Sequence, residues 1–245
     1  MEKSPPYIVT LLMVVLSSMM SYGQHDASPT KSMGIGGVVR GNGLGVNLFY
    51  DWKKQSPWTN QLNLDFVSHK HANEARIVNH TVSNKQPFVL GKLNHVGLSR
   101  LTFGKSLDLI PKGTHGKLAV ALQSNLGVTA AWLRPVYVRI DPREDVGIQS
   151  ENVRYTPQNV ENPDRIVGYS RNGYGWDELS VLPGVLFRSN IACTWSAYGQ
   201  SAKQLVAGFT LDYFPSGLPV MATYSNPNFY AGVFVGLNWM LNIQQ

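Results

Sequence analysis

The chain has 245 residues, of which 43% are apolar, 11% aromatic and only 15% charged, with a formal net charge of +6. Soluble globular domains carry about 25% charged residues. The deficit excludes a disordered chain, which needs more charge, and a coiled coil, which needs Glu/Lys heptads. A helical membrane protein is excluded because it needs repeated apolar runs of about 20 residues, and the one long apolar run is at the N-terminus. The 21 basic residues form no stripe, so nucleic acid is not an expected partner.

Residues 1–23 have the layout of a secretory signal peptide. Lys3 lies in a short leading region, Ile8 to Met20 form an apolar stretch, and Ser21 and Gly23 are small residues at the −3 and −1 positions. Cleavage is expected before Gln24. Thirteen residues are too few to span about 30 Å of hydrocarbon, which disfavours an anchor helix. Residues 24–245 are expected to form one domain. Cys193 is the only cysteine and falls in the apolar register of a strand, so it reads as a small filler rather than a reactive thiol.

From residue 33 onward the apolar residues recur every second position, the period of a strand. Met33, Ile35 and Val39 mark the first segment. Leu44, Val46, Leu48, Tyr50 and Trp52 mark the second; 33–52 reads either as two strands or as one bent strand. Leu62, Leu64 and Phe66 oppose Asn63 and Asp65. Segment 89–104 puts Leu93, Leu101 and Phe103 opposite Lys92, Asn94, Arg100 and Thr102, with Val96 and Leu98 interrupting. The pattern returns clearly over 118–134, 185–198, 204–214 and 229–242. Eight strands result, most of them long against a usual mode of about 5–6 residues.

One face of these strands is nearly free of Lys and Glu, while the other carries Asn, Thr and Gly. Apolar-out and polar-in is the pattern of a barrel surrounded by lipid. A soluble lipocalin-like barrel, apolar inside, is the runner-up. Aromatic residues near strand ends (Trp52 and Trp58, Trp132 and Tyr137, Trp195 and Tyr198, Tyr213 and Phe214) fit interfacial girdles. Connections alternate between short and long, except for the tight Gly41-Asn42-Gly43. The expectation is all-β: an eight-stranded antiparallel up-and-down transmembrane β-barrel with long outer loops.

Eight strands leave an interior just wide enough for side chains. The inward parity predicts a luminal ionic cluster of Asp51, Asp65, Lys92, Arg100, Arg188 and Asp212, since buried charges need partners. The longest connection, 135–177, is aromatic and Arg-rich, and residues 136–178 hold eight of the fourteen acidic residues that follow residue 23. Long loops of this kind are usually functional or disordered, and Arg with Tyr suits a protein interface. Tyr137, Arg143, Tyr155, Tyr169, Arg171, Tyr174 and Trp176 are its candidate partner-binding residues. No G-x-S-x-G motif and no His beyond His115 is present, so no catalytic residue is predicted. His69, His71 and His80 form no closed set of four ligands, and neither a metal nor a cofactor is expected.

Several short signatures, taken in order, resemble a small, poorly characterised outer-membrane β-barrel family of the Bacteroidota. They are Arg40-Gly41-Asn42-Gly43-Leu44-Gly45, Lys70-His71-Ala72-Asn73-Glu74-Ala75-Arg76, Phe88-Val89-Leu90-Gly91-Lys92-Leu93-Asn94, Leu182-Pro183-Gly184-Val185, and Asp212-Tyr213-Phe214-Pro215 before Met221-Ala222. Family members usually have Pro then Lys where this chain has Ala72-Asn73. The resemblance implies the outer membrane and a barrel, and no established activity. The expected function is a non-enzymatic outer-membrane barrel that meets lipid around its wall and a protein partner through its outer loops, accessory to a surface or secretion complex. The alternatives are a rim enzyme acting on lipid or peptide, built from Asp65, His69 and Arg76 near the long loop, and a narrow channel.

Overall fold

The computed structural model describes residues 31–53, 58–80, 86–110, 118–140, 151–156, 163–170, 173–196, 201–222, 224 and 226–243. Residues 1–23, where a signal peptide is expected, lie outside them. The wall strands are β1 (Lys31–Arg40), β2 (Gly43–Lys53), β3 (Trp58–His69), β6 (Asn94–Ile110), β7 (Leu118–Pro135), β11 (Ser180–Ser196), β12 (Ser201–Tyr213) and β13 (Phe229–Ile243). They close a barrel in the order β1-β13-β12-β11-β7-β6-β3-β2, every pair antiparallel. Five short strands lie outside the wall. Of these, β4 (Arg76–Ile77) pairs with β5 (Phe88–Val89), and β8 (Tyr137–Ile140) lies between β9 (Glu151–Arg154) and β10 (Ile166–Tyr169). Residues 33–52 are two strands, separated by a turn at Gly41-Asn42.

Outward positions, every second residue of the wall, are mostly exposed and apolar, from Ile35 and Val39 on β1 to Val233, Val235 and Leu237 on β13. The residues between them are buried and polar: Asn47, Asn63, Thr102, Gln123, Asn125, Asn190, Gln204 and Asn238. The polar interior removes the lipocalin-like alternative, whose lumen would be apolar. Side-chain amides bond between neighbouring strands on this inner face, Asn190 Nδ2 to Gln123 Oε1 at 2.7 Å and Asn238 Nδ2 to Gln204 Oε1 at 3.0 Å. Pairing matters because a buried amide without a partner costs about 1–3 kcal/mol.

Strand ends depart from the sequence expectation in an informative way. β6 begins at Asn94 rather than 89, and Val96 and Leu98 do not interrupt its alternation: they share the inward parity of Arg100 and Thr102. The lumen is apolar at that level. There Val96, Leu98, Ala131 and Leu133 from the wall pack on Phe214, Leu218, Val220 and Met221 from the β12–β13 connection. Phe214 is therefore a core residue and not a girdle aromatic. Trp132, Tyr213 and Phe229 ring the long-loop end on the outside, while Trp52, Trp58 and Trp239 ring the short-turn end.

The three long connections fold together as a lid. Leu93 N–H donates to Val220 O, Val136 N–H to Leu93 O and Tyr155 N–H to Val136 O, at 2.8–2.9 Å. These bonds tie the β3–β6, β7–β11 and β12–β13 connections into one layer. A second apolar core of Phe88, Val136, Val138, Tyr155 and Ile166 fills it. The single stretch 135–177 thus contains a small sheet, β9–β8–β10, and is not an irregular loop.

Candidate functional site: a luminal ionic layer and a rim notch

Asp65 on β3, Arg100 on β6, Arg188 on β11 and Asp212 on β12 converge inside the barrel, below the apolar cap. Inward parity on four strands places them there. Arg100 grips Asp212 with both arms of its fork, Nε to Oδ1 at 3.0 Å and Nη2 to Oδ2 at 2.8 Å. Arg188 Nη1 reaches both oxygens of Asp65, at 3.3 and 3.1 Å, and its guanidinium lies 4.5 Å from the Phe234 ring centroid. Asn47 also donates to Asp65. The paired side chains are only 2–6% exposed. A bidentate, dry arrangement of this kind is the strong form of the interaction.

Arg40, the last residue of β1, joins this layer. Its guanidinium donates to Thr210 and lies 3.9 Å from Asp212. Its Nε is buried with no partner among the described residues. Gly232 makes room for it, since a Cβ there would sit 3.1 Å from Arg40 Nη2. Three guanidiniums face two carboxylates, so the layer carries one net positive charge. The apolar parity of the first segment ends at Val39 and does not single out Arg40. The available signal is its parity with Val38, inward on the same strand. The free space among these groups is about 10 Å³, roughly one water molecule.

Two predicted members of the cluster lie elsewhere. Lys92 sits on the connection between β5 and β6, where its ammonium pairs with Glu74 at 2.6 Å. The chain leaves the barrel ladder there, so the two-residue parity that assigned it inward does not apply. Asp51 is inward, but near the short-turn end, where the Gln61 side chain bonds it. It lies apart from the arginines, because β2 runs from Gly43 at the rim toward that opposite end.

The lid aromatics divide into two groups. Tyr155 is 2% exposed, and its hydroxyl oxygen accepts the Gly91 N–H at 2.7 Å. Gly91 has φ +78°, a backbone conformation that favours glycine, and turns the chain into β6. Tyr169 is half-buried and accepts the Val89 N–H at 3.0 Å. Burial pushes both phenols up, Tyr169 to about 12. Both hold the lid together; Tyr155 is sealed in its core and presents no contact surface, contrary to its expected partner-binding role, while Tyr169 keeps an open side next to Tyr174. Tyr137 donates to Glu178, which Arg154 also reaches at 2.8 Å. Tyr174 and Trp176 are exposed, Trp176 with Arg134 4.9 Å from its ring centroid. Arg143 and Arg171 lie outside the described residues.

Beside the lid, the β1–β2 hairpin ends early and leaves an open notch of about 810 Å³ in the rim. His69 lies in its wall, with Nδ1 3.1 Å from Asn42 Nδ2 and its ring edge-on to Tyr230 at 5.2 Å. Asp65, His69 and Arg76 do not converge: Asp65 is bound to Arg188 within the lumen, His69 lines the notch and Arg76 is exposed on β4. No group of three or more His, Cys, Asp or Glu side chains able to hold a metal occurs among the described residues.

Two solved structures are similar to this chain. One is Neisserial surface protein A, with 8% identity and a TM-score of 0.42, covering 89% of this chain and 98% of that one. The other is a major outer membrane protein from Thermus thermophilus, with 12% identity and a TM-score of 0.44, covering 88% of this chain and 100% of that one. No protein-family profile and no curated protein matches the chain.

Proposed function

We propose that this protein is an outer-membrane β-barrel that acts without catalysis, as a structural or partner-binding component working through its lid. Support for the membrane comes from the wall. An unbroken band of exposed Ile, Leu, Val and Phe runs round all eight strands and far exceeds the apolar patches of soluble monomers. With aromatic residues at both ends and amides inside, it matches a lipid-facing exterior.

The observation that carries the functional reading is the lid's own buried core. Phe88, Val136, Val138, Tyr155 and Ile166 hold the long connections in one shape. That shape displays Trp176, 63% exposed, and Tyr174. Together with the ionic layer it also obstructs the lumen, which disfavours a channel. The test is co-purification of the tagged full chain from native outer membranes after crosslinking, alongside planar-bilayer recording. The expected result is a protein partner retained by the natural chain and lost from Trp176→Ala, with no conductance. A chain recovered in the soluble periplasm, or one giving steady single-channel currents, would overturn the reading.

A further inference from the structure

The notch joins two surfaces that the rest of the wall keeps apart. On β1 the buried guanidinium of Arg40 is one residue from Val39, which is 60% exposed on the outer face. Leu44 and Val233, 64% and 70% exposed, flank it on β2 and β13. Above this point β1 has turned back, while β13 continues to Phe229 and β3 to His69. Gly41 N–H to Val233 O is the last rung between β1 and β13. By the alternation of an antiparallel ladder, the backbone N–H of Ala231 then points into the notch.

The groups that meet here are donors. Arg40 lines it with a guanidinium that is in excess over the two carboxylates of the ionic layer, Ala231 turns its amide toward it, and Lys70 adds an exposed ammonium. Glu74 also lines the notch, but its carboxylate is bound to Lys92. A compact anion above an apolar strip is the complementary shape, and a phospholipid has it. Resting on the membrane placement above, we propose that the notch binds the phosphate head group of a membrane lipid, whose acyl chains run down the wall over Val39, Leu44 and Val233. The short hairpin is what admits the head group to the rim.

The full chain, refolded in phosphate-free detergent, is titrated with dioleoylphosphatidylglycerol, with dioleoylglycerol or with inorganic phosphate, and adducts are counted by native mass spectrometry. Phosphatidylglycerol is expected to bind one to one, and the other two weakly. Lys70→Gln should weaken it by about fivefold, the effect of one basic residue at a lipid surface. Lys203→Gln, exposed at the opposite end, should leave it unchanged. Arg40→Gln should abolish binding; because Arg40 also serves the ionic layer, the surface variant Lys70→Gln decides if that protein misfolds. Equal binding by the natural chain and Lys70→Gln overturns the proposal, as does equal binding of dioleoylglycerol. Displacement of the lipid by inorganic phosphate at equal concentration assigns the site to soluble phosphate and overturns the lipid. Heat-modifiable migration after insertion into vesicles is measured on the same samples. Failure there removes the membrane reading itself, whereas insertion without lipid retention removes only this inference.

Discussion

Arg100 on β6 and Arg40 on β1 approach the same carboxylate from different strands, and their situations differ. Arg100 lies mid-strand on β6, beneath the apolar cap, and holds Asp212 through two bonds of 3.0 and 2.8 Å. Arg40 ends β1 at an open rim, 3.9 Å from Asp212, with one nitrogen unpartnered. Both side chains are buried, but one is a doubly bonded strut and the other a more loosely held cation at the rim. Strand length makes the difference. β6 and β7 span 17 and 18 residues and carry the lid, while β1 and β2 span 10 and 11 and end beside it.

The largest test of this contrast removes the shared partner. Asp212→Ala leaves Arg100 buried and uncompensated, which should cost about 3–5 kcal/mol. The urea midpoint of the folded gel band is expected to fall by a corresponding amount. Arg100→Met should be nearly as damaging, because it strips Asp212 of its only bidentate partner. Arg40→Met should cost less, about 1–3 kcal/mol, since Asp212 keeps Arg100. Equal losses for the two arginines would erase the distinction between doubly bonded strut and loosely held cation.

The lid gives the next effect. Tyr155→Phe deletes the acceptor of the buried Gly91 N–H, for an expected loss of about 1–3 kcal/mol. Limited proteolysis of the intact barrel should show faster cutting in the lid, with the wall still folded. Tyr169 adds a pH dependence. Its phenol is pushed up from 10.0 to about 12 by burial, so the folded lid holds this proton more tightly than the unfolded one. Its contribution is complete below pH 10.0 and fades as pH rises toward about 12. Proteolysis of the natural chain should accelerate across that window, and Tyr169→Phe should flatten the rise.

The wall was legible in the sequence because a strand's period is two and a lipid-facing exterior keeps one parity almost free of charge. That pattern placed Asp65, Arg100, Arg188 and Asp212 on the inward face of four separate strands. It did not reach Lys92, Phe214 or Tyr155. Once the chain leaves the ladder, side-chain direction follows loop packing, and no period records it. Val96 and Leu98 show a related limit: they kept the inward parity but not the polarity, because the cap from Leu218 to Met221 makes the lumen apolar at that height. The short β1–β2 turn was visible as Gly41-Asn42-Gly43, yet a notch exists only in relation to the longer neighbours.

The smallest expected effect on stability falls on the most exposed aromatic of the lid. Trp176 is 63% exposed and touches Arg134, a surface contact. Trp176→Ala should therefore change the urea midpoint by no more than about 0.5 kcal/mol equivalent. Loss of the crosslinked partner without loss of stability would separate a recognition role from a structural one. Tyr155→Phe supplies the opposite control, because it loosens the lid while leaving Trp176 in place. If both variants lose the partner, recognition depends on the lid's shape as well as its surface, and the buried core is then part of the binding site.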